Sequence, residues 1–383
     1  MSNTHYAHGL GNELKLPDWP GIRMPELQRV LAQFPTAGVP QHILWHSPRP
    51  FSAAAEVRTT RGILFVKRHH QSVRSISDLA EEHKFIDHLR KKHLPVADIL
   101  KTQDGETSVA DDIWTYEVHQ AGRGLDLYRD SPSWTAFRCP AHAFAAGTML
   151  ANLHKAAADF HAPPRHTRLL VANYRIFGTA TPLDTLAAEL QGRPALARFL
   201  TGRPWKADIR ERLIDPFHPK AFALLRNEPS LRTHGDWHAS NLLWSSPGEA
   251  STVTTILDFG LSDQTFALFD LATAIERNLI SWLDAERGTP PVCNLEQLDA
   301  LLHGYSSVTP LSNEALNKVS ALLPLVHADF ALSEIEYFAG ILSNETDALI
   351  AYDLYLLGHA DWFRQEGGKK LLSHLNELAR QTA

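Results

Sequence analysis

The sequence predicts an α+β protein of two lobes, a small antiparallel sheet carrying one helix and then a mostly helical lobe with a hairpin set inside it. Three observations carry that expectation. Residues 42–119 hold short runs of β-branched and aromatic side chains. From about residue 140 the apolar positions recur with helical period. A strand-like island at 231–260 interrupts the helices. A chain of 383 residues also has room for two to three units of roughly 150 residues each.

In the first lobe HILWHS, AAEVRT, GILFVK and DIWTYEVHQ read as strands, and AAEVRTTRGILFVK as a hairpin turning at Thr60, Arg61 and Gly62. SISDLAEEHKFIDHLRKKH reads as a helix: Ser77 caps it, Leu79, Glu82, Phe85, Ile86 and Leu89 share one face, and Pro95 marks its end. Further on, AHAFAAGTMLANLHKAAADF, TPLDTLAAELQG, EQLDALLHGY and NEALNKVSALLPLVHADFALSEIEYFAGIL read as helices, with NLLWSS and TTILDFG as strands between them. The change of character near VHQAGRG (118–124) divides the chain into an extension at 1–24, a sheet lobe at 25–120 and a helical lobe at 121–383. In the extension, Trp19 and Pro20 point to packing on the sheet lobe.

Composition excludes several function classes. Apolar residues make up 44%, enough for a sizeable core, and 37 Lys plus Arg against 43 Asp plus Glu leave a net charge of −6, a poor footprint for nucleic acid. Two cysteines, Cys139 and Cys293, without a CxxC or Cys-His spacing, supply neither a cysteine-built zinc motif nor a disulfide framework. The N-terminus lacks a basic region followed by an apolar run, and no apolar stretch is long enough to span a bilayer. A soluble, cytoplasmic protein without membrane or nucleic-acid partners is therefore expected. The 21 histidines include His69, His70, His83, His88 and His93; the five-residue spacing of the last three walks around a helix and gathers no ligand set.

The segments THGDWHASNLLW (233–244) and TTILDFGLSD (254–263) carry the chemistry. Asp236 and Asn241 share one short loop, and Asp258 ends the next strand. Phosphoryl transfer from a nucleotide needs this set: one carboxylate to orient or deprotonate the accepting hydroxyl, and an amide with a second carboxylate to hold the magnesium that bridges the phosphates. His234 and His238 have a spacing that could bind zinc on a helix, but Gly235 and Asp236 indicate a loop and a third soft ligand is missing. His238 then reads as a lining of the acceptor side.

These residues resemble the aminoglycoside phosphotransferase and choline kinase family, the small-molecule branch of the protein-kinase-like fold. The resemblance rests on His234, Gly235, Asp236 and Asn241, on Asp258-Phe259-Gly260, on Asp270-Leu271-Ala272 and on the LANLH run from Leu150 to His154. It covers nearly the whole chain, and it implies a bilobal kinase-like fold using ATP and magnesium. It assigns Asp236 to catalysis and Asn241 with Asp258 to the metal. It implies further that Lys67 neutralises phosphates while Glu82 pins its ammonium. The nucleotide-covering loop is RPFSAAAEV, where Ser52 offers a hydroxyl and glycine is absent. Backbone from Glu117 to His119 would meet the adenine edge, and Asp126 either the ribose or a helix N-terminus.

The acceptor would lie against the helices after Asp258, where Asp263, Arg277, Trp282, Asp329, Glu334, Glu336 and Tyr337 are candidates beside His238 of the loop. Asp329, Glu336 and the aromatics would receive a cationic amine, although a buried apolar stripe with solvated acids explains the same pattern. Asp270 begins a helix almost at once, where an acid suits the N-terminal dipole, which leaves no room for an activation segment. The implied acceptor is therefore a small-molecule alcohol (amino alcohol, amino acid, sugar or aminoglycoside). The rivals are a catalytically silent nucleotide-binding module on the same fold and, less favoured, a protein serine kinase. The choice of ATP or GTP and the oligomeric state are left open.

Overall fold

The structure, a computed structural model, describes residues 6–10 and 13–381. Between residues 40 and 120 five segments pair into an antiparallel sheet: β1 (Pro40–His46), β2 (Ala53–Thr59), β3 (Gly62–His70), β4 (Ser108–Asp111) and β5 (Trp114–Gln120). Their order is β1-β2-β3-β5-β4. The β2–β3 register ends at Thr59 opposite Gly62, so Thr60 and Arg61 form the turn. Strand β4 escapes the sequence reading because four residues, Ser-Val-Ala-Asp, are too few to display alternation.

One face of the sheet buries Ala55, Val57, Val66, Tyr116 and Val118 against α1 (Met24–Leu31), whose Leu27, Val30 and Leu31 complete a small core. That helix was not anticipated, although Pro25 in its first turn and Glu26 beside it are start signals. Helix α2 (Ile76–Lys91) is capped by Ser75 and not by Ser77. Asp78 stands three residues after Ser75 and closes a reciprocal box: Asp78 N donates to Ser75 Oγ at 3.2 Å, and Ser75 N donates to Asp78 Oδ2 at 2.8 Å. The expected face of α2 is buried, and its Phe85, Ile86 and Leu89 belong to the core of the helical lobe.

The helical lobe is built on α3 (Pro140–Ala157), α4 (Ala267–Leu279) and α5 (Leu295–Ser306). The hairpin inside it pairs β6 (Leu242–Trp244) with β7 (Val253–Ile256). The run expected as one helix over 313–342 is broken into α6 (Asn313–Leu322), a tight turn at Leu323–Leu325 and α7 (Ala328–Glu336). Pro324 lacks the N–H that a continuous helix needs there. None of the described helices is long and apolar enough to cross a membrane.

The N-terminal extension touches both lobes and not the sheet alone. Trp19 stacks on His70 of β3 and meets Trp114 of β5 edge-on, while its Nε1 donates to Tyr337 Oη at 2.9 Å just beyond α7. Lys15 reaches Asp347 at 2.6 Å. Residues 1–5, 11 and 12 of the extension lie outside the described residues.

Candidate active site

The loop His234–Asn241 is held from below by α4. Asp270, fully buried in its first turn, accepts hydrogen bonds from His234 N (2.8 Å) and Gly235 N (2.9 Å). Near the other end of α4, Asn278 accepts from Ala239 N (2.8 Å) and donates to Trp237 O (2.9 Å). The acid read as a partner of the helix dipole therefore clamps the loop through both carboxylate oxygens. His154 of the LANLH run stands behind it, with Nε2 3.2 Å from Asp270. Gly235 has φ +79°, and a Cβ there would sit 2.7 Å from Leu261 O, so glycine is required. His234 donates from Nε2 to Leu257 O at 2.9 Å and packs its ring on Phe259, directly beneath Asp258.

Asp236, Asn241, Asp258 and Lys67 come together. Asn241 Nδ2 donates to Asp236 O (3.0 Å) and Oδ2 (3.1 Å). Asp258 adopts φ +53°, a left-handed conformation uncommon outside glycine and frequent at functional sites. Its Oδ1 accepts from Lys67 Nζ at 2.8 Å and from Gly260 N at 3.1 Å. Burial opposes the charge on Asp236, yet His238 and Arg277 hold its carboxyl well below the usual range. Burial likewise opposes Asp258, and Lys67 brings it down. Against its own burial, Lys67 is kept charged by Asp258, Glu117 and Glu82.

Glu82 lines the same cavity but does not pin Lys67. Its Oε2 faces Arg165 Nη1 at 3.4 Å, and Lys67 takes Asp258 instead. The cause is the buried Arg165 guanidinium, which reaches Glu82 and also donates to Gly260 O (3.0 Å) and Asp78 O (3.1 Å). Arg74 adds a second buried donor to Gly260 O at 2.9 Å. Burial first, and the charge of Arg165 second, lower its pKa to about 10. These two arginines tie α2 to the Asp258 turn; neither sits in a motif, so sequence reasoning missed them.

A cavity of about 290 Å³ opens between sheet and hairpin, bounded by Lys67, Glu82, Asn241 and Asp258 at one end and Gln120, Ala121 and Gly122 at the other. The adenine-facing expectation shifts by a few residues. Glu117 and His119 pair with Lys67 and Phe65 within the sheet, so their backbone groups serve the β3–β5 ladder. Their side chains face the cavity instead: the Glu117 carboxylate accepts from His69 (2.9 Å), His83 (2.8 Å) and His119 (2.7 Å). Gly122 and Gly124 then turn the chain into the helical lobe. A Cβ on Gly122 would meet Leu243 at 2.6 Å, and one on Gly124 would meet Thr254 Oγ1 at 2.0 Å.

Ser52 lines the cavity as expected, and so does Arg49, which the sequence reading passed over. Arg49 extends toward the helical lobe, reaching Ser133 Oγ (3.3 Å) and Tyr128 O (3.4 Å). Phe51, at φ +72°, packs on Tyr337 and Phe338, so the covering loop leans on the helical lobe.

Most acceptor candidates prove to be structural. Asp263 is fully buried and taken by Arg165 N (2.8 Å), Arg175 (2.7 Å) and Arg232 (3.3 Å). Asp329 accepts from Ile176 N and Phe177 N, and burial pushes its carboxyl up to about 7. Glu336 is paired with Arg193 at 2.6 Å. Tyr337 is covered by Phe51 and held by Trp19. Trp282 stacks on His359, ring centroids 3.7 Å apart. Buried carboxylates recruit N–H donors because an unpaired charge there is costly. Only His238, with Nε2 3.4 Å from Asp236, and Arg277, with Nε 3.6 Å from it, stand beside the proposed catalytic carboxylate.

The sequence model of the phosphotransferase enzyme family matches residues 51–330, from the covering loop to α7. The chain belongs to that family. An uncharacterised protein of Synechocystis sp. is 25% identical to this phosphotransferase over 341 residues, 83% of this chain and 80% of its own. Among solved structures, a microcompartment-associated aminopropanol kinase aligns with TM-score 0.52 at 16% identity over 90% of this chain and 99% of its own. An aminoglycoside phosphotransferase of Alicyclobacillus acidocaldarius aligns with TM-score 0.51 at 16% identity, over 95% and 98% respectively. At such identities the likeness extends to the fold, which is the bilobal fold of small-molecule kinases.

Proposed function

We propose that this phosphotransferase carries the γ-phosphate of ATP to a hydroxyl of a small molecule, with magnesium. The observation that supports it is the convergence of Lys67, Asn241 and Asp258 at one end of the cavity, with Asp236 held beside them by Asn241. Asp236, kept ionised, orients the acceptor hydroxyl and takes its proton as the phosphoryl group leaves ADP. Asn241 spends its amide N–H on Asp236, which leaves its oxygen, with the Asp258 carboxylate, as the hard donors that suit magnesium. The metal, when bound, neutralises phosphate charge. Lys67 would release Asp258 to grip phosphates, Ser52 and Arg49 would meet them from the covering loop, and the strand exit at Gln120–Gly122 would face the adenine edge. Positioning and charge neutralisation account for most of the rate.

This reading takes 25–120 and 121–383 as two lobes sharing one site, in a cytoplasmic enzyme without nucleic-acid or membrane partners. The acceptor class is a small-molecule alcohol of the amino alcohol, amino acid, sugar or aminoglycoside type. Asp236→Asn tests it: acceptor-dependent ADP release falls at least about 100-fold, while magnesium–ATP affinity measured by calorimetry stays within about threefold. Turnover retained by Asp236→Asn would refute the role of that carboxylate. Tight magnesium–ATP binding by the wild type without release across many alcohols would favour the silent module.

A further inference from the structure

A second gathering of histidines and carboxylates lies behind Arg277, whose Nε is 3.6 Å from Asp236 Oδ1 and 3.7 Å from Glu276 Oε2. Glu276 on α4, His327 just before α7, Glu334 within α7 and His359 at the start of the short helix His359–Trp362 are each more than nine-tenths buried. Glu276 Oε1, His327 Nε2, Glu334 Oε2 and His359 Nδ1 are sealed from solvent and find no hydrogen-bond partner among the described residues. Four buried polar atoms without an aligned hydrogen bond in one place run against the general rule. They are not far apart. His359 Nδ1 is 3.3 Å from Glu276 Oε1, His327 Nε2 is 3.3 Å from Glu334 Oε2, and His327 Nδ1 is 4.0 Å from Glu276 Oε2. The atoms face one another at contact distance without hydrogen-bond alignment.

We infer that Glu276, His327 and His359 form a site for a borderline divalent cation of the zinc class, with Glu334 orienting His327 from behind. Each of the three offers a ligand atom within 4.8 Å of the others. Two ligands bonded at about 2.0–2.1 Å to a tetrahedral zinc stand roughly 3.3–3.5 Å apart, the separation seen between His359 and Glu276. Imidazole and carboxylate ligands suit zinc, and a fourth position is left for water. Glu334 against the other nitrogen of His327 is the carboxylate–histidine arrangement that fixes a ligand's ring and tautomer. Trp282, stacked on His359 with planes 7° apart, fixes the second ring.

Charge supports the same occupant. Three carboxylates, Asp236, Glu276 and Glu334, gather around the guanidinium of Arg277, so negative charge collects beside the cluster. The cluster around Glu117 is a contrast: His69, His83 and His119 all donate to that carboxylate, and its oxygens are satisfied. The sequence conceals the site because its ligands lie at 276, 327 and 359 with no short motif. His327 stands in the short link between the turn at Leu323–Leu325 and α7.

The test uses the full-length chain without a histidine tag, stripped with chelator, dialysed and titrated with zinc alone. We expect one zinc per chain by elemental analysis and a higher thermal midpoint on zinc addition. Cobalt alone gives the visible bands of a tetrahedral nitrogen–oxygen site. His327→Ala with His359→Ala abolishes stoichiometric zinc, and Glu334→Gln weakens zinc about 10–100-fold. Substoichiometric metal with an unchanged midpoint overturns the proposal, as does stoichiometric zinc retained by the double variant. If the double variant does not fold, a wild-type chain lacking the cobalt bands overturns it equally. A midpoint raised by a small cationic amine and not by zinc assigns the cluster to an amine instead.

Discussion

Asp270 illustrates how far residue type alone can mislead about role. An acid in the first turn of a helix has an adequate explanation in the helix dipole, yet its two oxygens hold the backbone on which Asp236 rides. Asparagine at 270 keeps one acceptor and turns an N–H toward a backbone N–H, so it should cost about 1–3 kcal/mol. Because the displaced groups are His234 and Gly235, kcat should fall about 10–100-fold while KM for ATP moves by less than about threefold. Steady-state kinetics with a denaturation curve checks both. An equal rise in KM with kcat unchanged would show that Asp270 does not position the catalytic loop. At the same scale, the Lys67–Glu82 pairing gives way to Lys67–Asp258 because a buried guanidinium, Arg165, competes for Glu82.

At the scale of elements, periodicity was legible wherever a segment was long. The hairpin turn, the buried face of α2 and the helices α3 and α5 were readable because several residues repeat one pattern. What escaped was short or nonlocal. Four-residue β4 shows no alternation, α1 was overlooked despite its start signals, and Pro324 divides a run whose apolar period continues across it. The acceptor candidates were hard to read for a related reason: Asp263, Asp329 and Glu336 lie where the acceptor was expected, but their partners Arg175, Ile176 and Arg193 come from elsewhere in the chain. Asp329 makes its burial measurable. Its ordinary value is 3.8 and its folded value about 7, so the unfolded chain releases that proton first as pH rises. Asp329 therefore stabilises the fold most below about pH 4, and that contribution is lost as pH climbs to about 7, at no more than about 1.4 kcal/mol per pH unit. Asp329→Asn should flatten the stability profile across that window in urea denaturation, whereas an unchanged slope would show that Asp329 is ionised in the folded protein.

Across the whole molecule, the lobes are tied on several sides of the cleft. Phe51 leans from the covering loop onto Tyr337 and Phe338, Trp19 bridges the sheet to Tyr337, and Arg49 reaches Tyr128 and Ser133. Between them the cavity meets Asn241 and Asp258, which two short motifs name in advance, whereas no motif marks the acceptor. Phosphoryl transfer to a small alcohol is measured most directly by incubation with magnesium–ATP and a metabolite extract, followed by mass detection of phosphorylated products, beside a parallel incubation with protein extract. One metabolite, or a narrow set, should gain a single phosphoryl group, with none gained when Asp236→Asn replaces the wild type. Phosphate appearing on protein alone, or on nothing while ATP binds tightly, would contradict it.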